Sequence, residues 1–370
     1  MQWQGSELKQ KMREAGITQA ALAETAGVTR HTVMAWIHGQ VPKGTHLLAI
    51  SRLLGVAPDA LFSAPPSPVG VAPLHRRRRN AKITPEMQTE ALRMAEDYAP
   101  LISAETLPIM QQVARGRSDA DAQRLATRMR ELARLGESDD PMDFEHTFHL
   151  MNELQVCVIP RPFPELVKDY AFYTRINEQR VVFVNSATST LDIIFPLLHE
   201  TVHAVRERDP SDGYDKAEED FCDKVAGLVQ FPDDYVETAW LSIRGRHAGT
   251  QVNLLKELAT RHHHTVYGLV KRIEERRGRK MAFNVHGADG NLRSEHRTIG
   301  DVLYADGAES FVEIIEDISP IWFRVVLSAR DTLTDRRLAE VLGIESVLDA
   351  REVRRCLDAA REREANVRSL

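Results

Sequence analysis

The sequence predicts a multidomain, mainly α chain in which an all-α N-terminal domain precedes a central α+β domain and a mixed α/β C-terminal region. Three observations carry this. The chain has 370 residues, long enough for two or three packed cores. Apolar residues recur at helical spacing through most of it. β-Rich runs are confined to the stretch from Val156 to Ser186 and to Ile321–Leu327.

From Leu8 to Phe62 the pairs Leu8 and Met12, Leu22 and Ala26, and Val33 and Ile37 lie four apart, followed by Leu47, Ile50 and Leu54, which predicts about five short helices. The stretch Ser63 to Pro73 is rich in proline and small residues and reads as a linker. Arg76 to Arg79 follow as a solvated charge cluster that could touch phosphates. Thr84-Pro85-Glu86 has the order of a helix cap, a first-turn proline and an acid at the positive helix end, and it opens a helical span to Leu135.

A helix over about Phe144–Leu154 leads into Val156-Cys157-Val158-Ile159 and then into two β-rich runs flanking Asn177-Glu178-Gln179 as a hairpin. A helix over about Thr190–Glu207 comes next, with further helices to about Arg277. Beyond Met281 the pattern predicts a strand at Ile321–Leu327 and helices at Asp335–Leu342 and Val347–Arg363. The domain reading is therefore 1–62 all-α, 63–82 linker, 83–140 helical spacer, 141–277 α+β and 278–370 of unassigned role.

Cys157, Cys222 and Cys356 are odd in number and widely spaced, which argues against a disulfide scaffold and fits a reducing compartment. No secretory leader pattern and no apolar run of spanning length is present, so the expectation is a cytoplasmic protein without a membrane partner. A net charge of −6 confines any nucleic-acid contact to one region.

The first motif with chemistry is His199-Glu200-Thr201-Val202-His203. Residues four apart on a helix project from one face, so both imidazoles can share one ion. Glu200 lies roughly 100° round the helix and can act on a water beside that ion as general base. An H-E-x-x-H match arises by accident in about 4% of such chains, so a third ligand is required. Glu219 and Asp223 answer that need: one can ligate zinc while the other fixes a ligand histidine's tautomer. Glu218 and Asp215 compete with Glu219 for the ligand role. His262-His263-His264, His146 and His149 lack a partner pattern and read as packing or surface residues; Cys222 reads as a small residue on the packing side of its helix.

Phe195-Pro-Leu-Leu-His-Glu-Thr-Val-His-Ala, with Glu219-Asp-Phe-Cys-Asp-Lys-Val-Ala-Gly-Leu-Val-Gln-Phe-Pro232, resembles the ImmA/IrrE metallopeptidases over about residues 144–277. The resemblance implies a zincin-like, gluzincin-type domain with Zn2+ on His199, His203 and Glu219, catalysis by Glu200 and a supporting role for Asp223. Cys222, Val202 and Val225 depart from that family's alanine, glycine and phenylalanine.

A second motif runs from Gln19 to Gly39. Gly27 supplies a left-handed turn, Val28 plugs the core and Thr29 caps a second helix whose first residues are Arg30, His31 and Thr32. Those positions meet base edges when a recognition helix enters the major groove, and Gln19 suits a phosphate contact. The span to Phe62, closing on Leu53-Leu-Gly-Val-Ala-Pro-Asp-Ala-Leu-Phe62, resembles the XRE family of helix-turn-helix domains. Together the resemblances imply a regulator that binds a double-stranded operator, as a homodimer, and cleaves a repressor or antitoxin-like protein. The alternative is a transcription factor whose zinc domain senses a ligand or metal without cleaving.

Overall fold

The computed structural model describes residues 2–3, 5–63, 69–71, 84–102, 116–136, 138–206 and 215–368. The chain divides into two units, Met1–Ser67 and Pro68–Leu370. The arginine run at 76–79 and most of the 63–82 stretch lie outside the described residues.

In the first unit a two-residue strand β1 (Gln2–Trp3) pairs with β2 (Phe62–Ser63), closing a bundle of α1 (Gly5–Glu14), α2 (Gln19–Ala26), α3 (Arg30–Ile37) and α4 (Gly44–Leu54). The fifth expected helix is a single 3-10 turn, Pro58–Leu61. Leu8, Leu22, Val33, Trp36, Ile50 and Leu61 form the core, with Val28 packed against it. Gly5 permits the close approach of α1 to α3, because a β-carbon there would collide with the carbonyl of Ile37.

The second unit is built on a four-stranded sheet ordered β3-β5-β6-β4. Its strands are β3 (Val69–Val71), β4 (Cys157–Arg161), β5 (Ala171–Ile176) and β6 (Gln179–Asn185). β5 and β6 form the expected antiparallel hairpin, with Asn177 and Glu178 at positive φ in its two-residue turn. β4 joins β6 in parallel, and β3 adds antiparallel to β5.

β3 differs from the linker expectation. Two β-branched valines flanking a glycine find an unpaired strand edge, and Val69 is buried in the main core. The helices α5 (Pro85–Glu96) and α6 (Asp119–Leu132) also join that core through Met87, Ala91, Met94, Leu125 and Met129. The Tyr98 hydroxyl donates to the carbonyl of Val341, 2.9 Å away. The described part of the 83–140 span is therefore integral to the second unit. As expected, Thr84 caps α5 with Pro85 in the first turn.

α7 (Phe144–Glu153) precedes β4, and α8 (Ile194–Arg206) and α9 (Lys216–Gln230) follow β6. α8 packs on β5, β6 and α9. Pro196 falls in the first turn of α8, where an amide has no helical partner. α10 (Asp233–Ile243), α11 (Ala248–His262), α12 (Val266–Arg277) and α13 (His286–Glu295) surround a smaller core of Phe231, Val236, Leu255 and Leu269.

The chain ends in α14 (Ile299–Tyr304), α15 (Gly307–Ile318), α16 (Pro320–Ala329), α17 (Asp335–Leu342) and α18 (Val347–Arg368). The expected strand at Ile321–Leu327 is thus a helix, and the mixed α/β expectation for 278–370 is corrected: among its described residues there is no named strand. The buried residues Trp322, Phe323, Val326 and Leu327 follow a period near 3.6, and Pro320 sits at the first helical position, where its fixed φ favours a helix start. The Ser319 hydroxyl accepts the amide of Val158 at 3.1 Å, tying the start of α16 to β4.

Candidate functional site

On α8, His199 and His203 present their rings from one face with their Nε2 atoms 3.1 Å apart. α9 runs alongside and brings Glu219 to them, Oε2 lying 3.1 Å from His199 Nε2 and Oε1 3.4 Å from His203 Nε2. Among the described residues this is the one group of three or more His, Cys, Asp or Glu side chains able to share an ion. The three side chains are buried, with residue exposures of 1%, 4% and 7% in chain order.

The donor set fits zinc. Zinc holds nitrogen and oxygen ligands at about 2.0–2.2 Å, so ligand atoms at tetrahedral angles lie about 3.3–3.6 Å apart, close to the observed spacing. Asp223 Oδ1 lies 2.8 Å from His199 Nδ1. A proton on Nδ1 satisfies that contact and leaves the Nε2 lone pair aimed at the Glu219 carboxylate. Two ring nitrogens and an anion facing one another are stable only with a proton or a cation between them. Burial opposes ionisation of Glu219, yet the His199 and His203 rings beside it hold the carboxyl well below the usual range.

The competing acids are engaged elsewhere. Glu218 is buried against Arg206, which reaches it through Nε and, at 3.0 Å, through Nη2; Arg117 adds a contact at 2.8 Å. Burial opposes its ionisation too, but the arginines lower its pKa. Asp215 caps α9, accepting the amides of Ala217 and Glu218, and pairs with Arg117 at 2.6 Å. These pairs pin the end of α8 to the start of α9 one residue before Glu219.

Glu200 is 3% exposed, and its Oε2 accepts the amide of Tyr173 on β5 at 2.8 Å. Burial pushes its carboxyl up to about 8, against the pull of His199 and the Tyr173 amide. Cys222 is buried, but its Sγ lies 3.7 Å from His203 Nδ1, so it borders the histidine pair as well as the packing side of its helix. His146 pairs with Asp143 at 2.7 Å and His149 with Glu153 at 3.8 Å. The Tyr173 contact and the arginine pairs carry no sequence signal that would reveal them, since their partners lie on separate elements.

In the first unit Thr18 caps α2, accepting the amide of Ala21, and Gln19 is the first residue of that helix. Gly27 takes the left-handed conformation at φ 65°. Thr29 caps α3 by accepting the amide of Thr32 at 3.2 Å, and the two hydroxyls lie 3.0 Å apart. Arg30 and His31 are exposed at the start of α3, while Thr32 and Gln19 are half-buried.

Among the described residues no helix is long and apolar enough to cross a membrane. No curated protein matches the chain. A family model described as Helix-turn-helix matches residues 8–61. With α2, the Gly27 turn and the capped α3 in that layout, the first unit is a DNA-binding helix-turn-helix module of the XRE type.

Proposed function

We propose that this chain is a DNA-binding regulator whose second unit is an ImmA/IrrE-like zinc endopeptidase that cleaves a repressor or antitoxin-like protein. The convergence of His199, His203 and Glu219 beside Glu200, with Asp223 behind His199, is the observation that carries the peptidase reading. When bound, zinc would supply Lewis acidity toward a peptide carbonyl and toward water. Glu200, held by the Tyr173 amide, takes the proton of the attacking water and passes it to the leaving amine. Asp223 keeps the His199 ring oriented, and the Arg206–Glu218 pair keeps Glu219 in reach.

The test is metal content followed by proteolysis of co-expressed candidate repressors by wild type and Glu200→Gln. Glu200→Gln is expected to keep the metal and to cut at least about 100-fold more slowly. A second reading, a transcription factor that senses metal without cleaving, is favoured by the burial of Glu200 and the three ligands. Bound zinc with no Glu200-dependent cleavage would leave that reading standing.

For the first unit, the full chain selected against a random duplex pool should enrich one sequence, read by a homodimer as paired half-sites. Arg30→Ala should weaken that binding by about 1–3 kcal/mol; unchanged affinity and unchanged salt dependence would remove Arg30 from the interface.

A further inference from the structure

α9 meets the two histidines of α8 through a carboxylate, a sulfur and a second carboxylate. Glu219, Cys222 and Asp223 stand at i, i+3 and i+4 on α9, the spacing that puts side chains on one helical face. Glu219 faces both Nε2 atoms. Asp223 Oδ1 lies 2.8 Å from His199 Nδ1, and Cys222 Sγ lies 3.7 Å from His203 Nδ1. Each ring therefore has a partner of its own behind it, an acid for one and a thiol for the other.

The two partners have different surroundings. The Asp223 side chain is 48% exposed, whereas Cys222 is fully buried in the main core. A carboxylate on that dry side would be costly to bury. A thiol packs there as a small apolar group and still offers a weak acceptor. With Nε2 of His203 turned to a metal, the ring proton sits on Nδ1, and among the described residues Sγ is the acceptor within its reach. Cys222 stands outside the group of side chains able to share an ion, so its effect passes through the ring.

We propose that Cys222 is the positioning residue of His203, its sulfur accepting the Nδ1 proton and holding the ring toward the metal as Asp223 does for His199. The proposal rests on the metal site of the peptidase reading and gives Cys222 a role besides filling the core. Sulfur is the weaker acceptor, so His203 is the more loosely held of the two imidazoles.

The test uses the full chain and zinc alone, with a chelator as competitor. Cys222→Ala and Cys222→Val should each weaken zinc binding about five-fold, less than the loss of about 10–100-fold usual for a partner behind a ligand. Cys222→Ser keeps an acceptor and should stay within about two-fold of wild type. Valine keeps the bulk and drops the acceptor, so a packing role would give the reverse order, with valine near wild type and serine weakened. That order, or equal affinities throughout, would overturn the proposal. In the zinc-loaded chain the Nδ1–H resonance of His203 should move in Cys222→Ser while that of His199 stays in place; a His203 resonance that ignores the change would overturn it too. One measurement needs no substitution, so misfolding of a variant does not blunt it. Wild type loaded with cobalt should show no thiolate-to-metal charge-transfer band, and such a band would make Cys222 a ligand instead. Wild type that binds no zinc would sink the metal site and this inference together, whereas zinc-loaded chain that cleaves nothing would sink the peptidase reading alone.

Discussion

Two histidine groups in the second unit, His199 with His203 and the run His262 to His264, have opposite surroundings. The first pair stands one turn apart on one face of α8, and Glu219 approaches from α9. The second group is consecutive at the end of α11, where His262 and His264 both pack against the Tyr235 ring and His263 turns to His296. His264 is buried with both nitrogens used: Nε2 accepts the Tyr235 hydroxyl at 2.6 Å, and Nδ1 faces the Thr265 carbonyl at 3.1 Å. His263 ends the helix in the left-handed conformation, and His262 lies 4.0 Å from Asp140. A histidine becomes a ligand when one nitrogen is fixed by a partner and the other is left facing a donor set; here only the first group meets that condition.

The contrast can be broken most directly at the metal. His203→Ala should lower bound zinc from about one ion per chain to none, whereas His263→Ala should leave it unchanged; metal content that ignores the first or follows the second would reverse the assignment. A smaller effect is expected behind the ligand. Asp223→Asn should weaken zinc binding about 10–100-fold by releasing the His199 ring, measured by competition with a chelator, and an unaltered affinity would show that Asp223 does not orient it.

The third expectation concerns the other group. His264→Phe leaves the Tyr235 hydroxyl without its acceptor and should cost about 1–3 kcal/mol of stability with zinc content kept. Burial pushes the His264 ring down to about 3. Its folded value lies below the unfolded value of about 6.5, so its contribution is complete above that pH and drains away as pH falls toward 3. Denaturant midpoints measured down that range should decline less steeply in His264→Phe; equal slopes would refute the assignment.

Much of the architecture was legible because it is written in local patterns. Thr84-Pro85 opened α5, Asn177 and Glu178 turned the hairpin, and Gly27 and Thr29 set the angle and start of α3. Ile321–Leu327 reads as a strand because a short apolar run satisfies either period, and Pro320 at the first helical position decides for a helix. The strand at Val69–Val71 carries no local signal for a different reason: three residues in a proline-rich stretch acquire structure only from the edge they join.

The sequence by itself determined the spacing that puts His199 and His203 on one helical face with Glu200 between them, because helix geometry is set within a few residues. Which acid completes the set was decided in three dimensions. Glu218 and Asp215 are drawn off by Arg206 and Arg117, leaving Glu219 to the histidines. The Tyr173 amide on Glu200 and the seat of β3 beside it belong to the same class. Each joins elements remote in the chain, and only packing brings their charges and unpaired backbone groups within reach.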